Sequence, residues 1–88
     1  MNNQANTVKN MTASALVKTG PGVLVGMYVN STSAGTIRFW DSLTATGVVM
    51  NNVITPAIGY HGLGNGSFTT GLFATIGGTL NVTLYYAD

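Results

Sequence analysis

Residues 79–86, TLNVTLYY, carry the clearest secondary-structure signal in the chain. Apolar and polar side chains alternate, so the two leucines, the valine and the second tyrosine would share one face of an extended chain. This period of two is typical of a β-strand with one face on a hydrophobic core. Gly77 and Gly78 precede it and both tolerate positive φ, so we expect a two-residue turn there and a hairpin over residues 72–86.

Shorter stretches of the same kind fill most of the remaining chain. We expect strands near residues 13–18, 23–30, 36–41 and 48–54, and a less regular segment over residues 57–67 that holds a short strand and a loop. Turn-forming Gly, Pro, Ser and Asn separate them. No stretch has helical periodicity, and Glu is absent. Six or seven short strands predict an all-β protein with a single antiparallel β-sandwich or jelly-roll-like domain.

Strict alternation also predicts which side chains share a face of each strand. It places Leu24 and Met27 on opposite faces of one strand, and Phe39 and Trp40 on opposite faces of the next. Tyr85 lies opposite the apolar face of residues 79–86. If one face forms the core, Trp40 and Tyr85 are exposed and need a partner. If both faces are covered, Trp40 is simply a core residue.

Residues 1–11, MNNQANTVKNM, are polar and lack periodicity. We expect them to form a flexible N-terminal arm ahead of the β-sandwich domain of residues 12–88. The arm is either plain terminal disorder or a segment that orders against a neighbouring subunit. In the second case Val8 and Met11 would anchor it by extending the partner's sheet edge.

Composition indicates a protein that associates with others. The chain of 88 residues is one small domain, for which folding alone gives marginal stability. It has no cysteine, so disulfides are excluded and oligomerisation is the remaining common source of stability. Charged residues make up 6% of the chain, against about 25% in ordinary soluble domains. A net charge of +1 gives no electrostatic reason to expect nucleic acid or anionic membrane as a partner.

The N-terminus, MNNQAN, has neither the basic nor the apolar region of a cleaved signal, and no apolar run is long enough to span a bilayer. We therefore expect synthesis in a cytoplasm, without export through a cleaved signal. Four Asn-x-Ser/Thr sequons, at Asn10, Asn30, Asn65 and Asn81, are then expected to carry no glycan.

Side chains for catalysis are scarce. Asp41, His61 and a Ser or Thr could nominally compose a hydrolase triad, but no Gly-x-Ser-x-Gly elbow is present. Asp41 and Asp88 are the only side-chain carboxylates. The glycines of residues 62–66 lack the Lys-Ser/Thr of a phosphate loop. We expect no enzymatic activity, no metal site and no cofactor.

Aromatic side chains with one polar end are enriched at interfaces. The aromatic candidates for an oligomer contact or for a sugar-stacking platform are Trp40, Tyr60, Phe73 and Tyr85. A carbohydrate-binding module would use Trp40, Tyr60 and His61. The full set of candidate interface residues is Val8, Met11, Arg38, Trp40, Tyr60, His61, Phe73 and Tyr85.

Four segments carry a resemblance to a known class of proteins. They are SALVKTG at residues 14–20, GVLVG at residues 22–26, SAGTI at residues 33–37 with Trp40-Asp41, and FTTGLFATIGGTL at residues 68–80. With these segments the chain resembles small β-sandwich virion proteins encoded among the head genes of tailed bacteriophages.

The resemblance implies a non-enzymatic capsid decoration or cement protein. Such proteins commonly form homotrimers on a shell of major capsid protein, so the implied location is the virion, after synthesis in the host cytoplasm. A tail or fibre-attachment subunit of the virion is one alternative. A small carbohydrate-binding β-sandwich module is another.

Overall fold

The computed structural model describes residue 5 and residues 7–87, and its regular structure is entirely β. All strand pairings are antiparallel, and their hydrogen bonds join six strands into one sheet. The predicted all-β antiparallel class is confirmed. In the described chain no helix has the length and apolar character to cross a membrane. The strands are β1 (Thr7–Met11), β2 (Ala15–Thr19), β3 (Gly22–Asp41), β4 (Val48–Val49), β5 (Gly59–Phe68) and β6 (Gly71–Ala87).

Two long strands, β3 and β6, form the centre of the sheet and pair along nearly their whole length. In what we call the first half, β1 borders residues 82–86 of β6 and β5 borders residues 22–29 of β3. In the second half, β2 borders residues 71–74 of β6 and β4 borders residues 40–41 of β3. The strand order is β1-β6-β3-β5 in the first half and β2-β6-β3-β4 in the second.

The sheet folds back on itself, and the ends of β3 show this. Gly22 pairs with Phe68 and Asp41 pairs with Leu72, yet only two residues separate β5 from β6. A straight strand of 20 residues would extend about 65 Å. The longest dimension of the described molecule is 35 Å. The two halves of β3 are therefore turned towards each other.

The bend is built from paired irregularities in β3 and β6. Ser33 and Ala34 both pair with Thr79, which makes a bulge, and Ala34 has φ of 53°. On β6, Gly78 has φ of 68°, and a Cβ there would lie 2.8 Å from the Ala34 carbonyl oxygen. Bulges bend a strand and increase its twist. Both central strands thus change direction at the same level.

A single hydrophobic core lies inside this fold and draws on both halves of the sheet. Because one continuous sheet supplies both halves, the sandwich or jelly-roll-like arrangement stays a prediction. The buried cluster comprises Met11, Leu24, Met27, Val29, Ile37, Phe39, Phe68, Leu72, Ala74, Leu80, Val82, Leu84 and Tyr86.

The predicted hairpin over residues 72–86 is wrong. Gly71–Ala87 is one strand, and Gly77 and Gly78 lie at its bend instead of reversing the chain. In the same way, the two strands expected over residues 23–30 and 36–41 are continuous in β3. Glycines that permit positive φ favour a bulge as readily as a turn, because the local requirement is the same.

Alternation predicts the inward faces of β6 and of the second half of β3 correctly and fails in the first half of β3. Phe39 is buried, and Trp40 on the opposite face lies outside the core. Leu24 and Met27 are both buried, although they were placed on opposite faces. A register shift between Leu24 and Gly26 adds one residue and reverses the inward set.

The expected flexible arm is wrong for its second part. Thr7–Met11 form β1 and pair with β6 of the same chain, and Met11 is only 4% exposed. Five residues are too few for period two to stand out in sequence, whereas the edge of β6 supplies backbone partners for all of them. The other arm residues, 1–4 and 6, lie outside the described residues, as does Asp88.

Two strand boundaries also differ from expectation. The strand expected over residues 48–54 is limited to Val48–Val49, and Ile54 makes a separate bridge to Ile37. The irregular segment expected over residues 57–67 instead contains β5, because the edge of β3 offers hydrogen bonds that override poor glycine propensity.

Candidate interaction faces

Four apolar side chains cross the outer face of the second half, and we call them the tryptophan row. Leu16 pairs with Phe73, Phe73 pairs with Trp40, and Trp40 pairs with Val49. Directly opposed residues on neighbouring antiparallel strands share a face. Leu16 and Val49 are each 38% exposed, and Phe73 and Trp40 are partly buried outside the core. The row therefore spans β2, β6, β3 and β4.

Trp40 is held in place by polar neighbours. Its indole N–H donates to the Thr75 hydroxyl at 3.3 Å. The Arg38 guanidinium lies 5.2 Å from the Trp40 ring centroid, and Arg38 Nε donates to the Asn51 carbonyl oxygen at 3.3 Å. The alternative that Trp40 is a core residue is wrong, because the buried cluster does not include it.

More apolar surface lies around β4. Leu43, Val48 and Val53 are all exposed. An open cavity of about 250 Å³ lies beside the row, and Val53, Arg38 and Thr75 contribute to its lining. Apolar surface in the second half therefore extends beyond the four residues of the row.

A second group, the tyrosine cluster, lies on the outer face of the first half. Tyr28 of β3 is directly opposite Tyr60 of β5. The Tyr60 and Tyr85 ring centroids are 6.1 Å apart and the rings are tilted by 45°. Tyr28 is 41% exposed and Tyr60 is 56% exposed. A Cβ at Gly26 would collide with the Tyr60 ring and hydroxyl, so the absence of a side chain lets Tyr60 lie across β3.

An amide ladder runs beside the tyrosines across β1, β6 and β3. Asn10 Nδ2 donates to Asn81 Oδ1 at 2.8 Å, and Asn30 Nδ2 donates to the same oxygen at 3.3 Å. Both amides also donate to the Thr83 hydroxyl oxygen, at 3.3 Å and 3.1 Å. Thr83 is directly opposite Tyr28, so the ladder and the tyrosines share one face.

His61 and Asp41 are separately engaged. His61 is opposite the buried Met27, on the other face of β5 from Tyr60, and its Nε2 lies 2.8 Å from the Ala57 carbonyl oxygen. Asp41 lies elsewhere, at the end of β3 in the second half.

Trp40, Tyr60 and His61 do not form the sugar platform expected from sequence. Trp40 lies on the outer face of the second half and Tyr60 on the outer face of the first half, while His61 lies on the other face of β5 from Tyr60.

The Asp41 carboxylate closes the turn between β5 and β6. It accepts backbone N–H bonds from Thr70 at 2.8 Å, from Thr69 at 3.0 and 3.1 Å, and from Gly71 at 3.4 Å. Burial raises the pKa of Asp41, whereas the hydrogen bonds from these backbone donors and from the Thr69 hydroxyl lower it by a larger amount. The pKa of Asp41 therefore lies below its ordinary value of 3.8. Asp41 is thus a structural cap on the described turn.

Six of the eight candidate residues lie on two faces, and His61 and Met11 lie on neither. Arg38, Trp40 and Phe73 meet in the second half, whereas Tyr60 and Tyr85 meet in the first, beside the exposed Val8. Met11 is in the core of its own chain, which corrects its expected role as an anchor on a partner.

Sequence reasoning missed Leu16, Val49 and Tyr28 as members of these faces. Alternation had placed Tyr28 and Met27 on different faces of their strand, but only the strand register shows that Tyr28 pairs with Tyr60.

Comparison of the chain with models of protein families, with curated proteins and with solved structures finds no match. Functional inference therefore depends on the two faces themselves.

Proposed function

We propose that this chain is a non-enzymatic structural subunit that acts by association. Copies pack through the tryptophan row, and the oligomer binds a repeating protein lattice as a decoration or cement protein of a tailed-phage head. The observation that supports this proposal is the row itself: four apolar side chains, aligned across four strands, on a surface outside the core.

The size of the row suits a weak contact that is repeated. Four adjacent strands extend roughly 14 Å across. Complete burial of an apolar side chain contributes about 1.5–3 kcal/mol, while association itself costs about 4–15 kcal/mol. One row supports only modest affinity between two subunits. Several such contacts on one lattice add avidity, which makes modest affinity sufficient.

The low charge supports self-association. Lys and Arg number three and Asp and Glu two in the chain of 88 residues. Copies with so few ionic groups meet with little repulsion and with few charges to remove from water. From the resemblance to head proteins we propose that the oligomer is a trimer and that its partner is the major capsid protein.

Sedimentation with capsid shells tests this proposal. Leu16→Asp places a carboxylate inside the row at a partly exposed position, and Val8→Asp makes the same change at an exposed strand position in the other half. We expect the unaltered chain and Val8→Asp to sediment with empty shells of major capsid protein, and Leu16→Asp to remain in the supernatant. Equal sedimentation of all three, or loss with Val8→Asp alone, would exclude the row as the contact.

A further inference from the structure

We propose that the outer face of the first half binds a neutral carbohydrate. The tyrosine cluster would stack on the apolar face of the sugar rings, and the amide ladder would bind their hydroxyls. This site uses the half of the sheet opposite to the tryptophan row and does not depend on the proposed association.

The tyrosines form a platform on three neighbouring strands. Tyr85, Tyr28 and Tyr60 belong to β6, β3 and β5, which are adjacent in the first half. The tilted packing of Tyr60 on Tyr85 leaves Tyr60 more than half exposed. Aromatic side chains with a polar end provide a rigid apolar surface bordered by hydroxyls, which matches the mixed character of a sugar ring.

The amide ladder has hydrogen-bonding capacity left over. Asn81 Oδ1 and the Thr83 hydroxyl are already engaged by Asn10 and Asn30. Within residues 7–87, Asn81 Nδ2 and the Oδ1 atoms of Asn10 and Asn30 have no partner. These amide groups are held by one another, so donor and acceptor positions are fixed before a ligand arrives.

The charge distribution favours a neutral ligand. Lys9 is opposite the buried Leu84 and so lies on the inner face, while Lys18, Arg38 and Asp41 belong to the second half. The described part of this outer face therefore carries no charged side chain. An acidic sugar or a nucleic acid strand would need cations that the face lacks. Each sugar hydroxyl both donates and accepts hydrogen bonds, so it can pair with the free amide donor and the free acceptors of the ladder.

Titration of the intact chain with neutral oligosaccharides, followed by the backbone amide resonances in NMR, tests the proposal. The probes are maltohexaose, cellohexaose, laminarihexaose and fully N-acetylated chitohexaose, each raised to millimolar concentration. We expect at least one of them to bind, with shifts concentrated around Gly26, Tyr28, Tyr60, Thr83 and Tyr85.

Four variants separate the platform from the ladder. Tyr60→Ala and Tyr28→Ala should each weaken binding about tenfold or more, since each removes a stacking ring. Asn81→Asp keeps the acceptor used by Asn10 and Asn30 but removes the free Nδ2 donor, so it should weaken binding several-fold. The control Val53→Ala changes an exposed residue of the second half and should leave binding unchanged.

Gly26→Ala provides a further arm, because a Cβ at this position displaces Tyr60 without removing its ring. It should weaken binding as much as Tyr60→Ala does. No binding of any of the four sugars, shifts outside this face, or unchanged affinity in the tyrosine variants would overturn the proposal. A lower oligomeric mass caused by Tyr28→Ala or Tyr60→Ala would also overturn it, because the face would then be covered by another copy.

Discussion

The Asp41 carboxylate accepts a 2.8 Å hydrogen bond from the backbone N–H of Thr70, at the turn between β5 and β6. This contact fixes the end of β3 against the two-residue connection that brings the ends of the folded sheet together. Asp41 therefore stabilises the fold, although in the sequence it was a nominal member of a catalytic triad.

Asp41→Asn should lower the free energy of unfolding by roughly 1–2 kcal/mol. The amide keeps one acceptor oxygen, which can serve the Thr70 backbone N–H, but loses the charge and the second acceptor, Oδ2, that the Thr69 backbone N–H and hydroxyl use. Urea denaturation at neutral pH measures the difference. An unchanged midpoint would mean that the carboxylate is not needed to hold the turn.

Acid should destabilise the unaltered chain more than the Asp41→Asn chain. The pKa of Asp41 is lower in the folded chain than its ordinary value of 3.8. Its contribution to stability is therefore complete above that ordinary value and is lost as pH falls through the folded pKa. Urea midpoints from pH 7 down to pH 2 should converge for the two proteins at the acid end. Parallel curves over the whole range would contradict this.

Gly78→Ala should destabilise the chain more than Gly64→Ala. Both glycines have positive φ, 68° and 70°, so alanine adds about 1 kcal/mol of backbone strain at either site. Only at Gly78 does the new Cβ meet another backbone group, the Ala34 carbonyl at the bend, whereas the space at Gly64 is open. The difference in melting temperature between the two variants measures the effect of the contact with the Ala34 carbonyl. Equal melting temperatures would show that the bend tolerates a side chain.

Met11→Ala should lower the free energy of unfolding by about 2–4 kcal/mol, because Met11 is buried in the core through β1. Val8→Ala, on the same strand but 61% exposed, should change it by less than about 0.5 kcal/mol. Chemical denaturation of the two variants provides the comparison. Equal, small effects would mean that β1 contributes little to the fold and behaves as the arm expected from sequence.

The sequence predicts the inward faces well where alternation is unbroken. Leu80, Val82 and Leu84 are buried as expected, and so is Phe39. The prediction fails where one inserted residue reverses the faces, as between Leu24 and Gly26, because a bulge has no periodic signal of its own.

Strand neighbours are a second limit on prediction from sequence. Trp40 and Phe73 were both named as interface candidates, but their pairing, and the addition of Leu16 and Val49, follow from register between distant segments. Gly77 and Gly78 indicate a change of direction without saying whether the chain turns or bends. Some residues of the interaction faces could therefore be predicted from sequence, but which residues lie side by side on each face could not.

Light scattering during size-exclusion chromatography of the purified chain tests the central claim most directly. Association through the tryptophan row predicts a mass that is a multiple of the 9.1 kDa chain, with three copies as the expected number, and a return to a single chain with Leu16→Asp. A mass of one chain at every concentration, or an oligomer that Leu16→Asp leaves intact, would contradict the account.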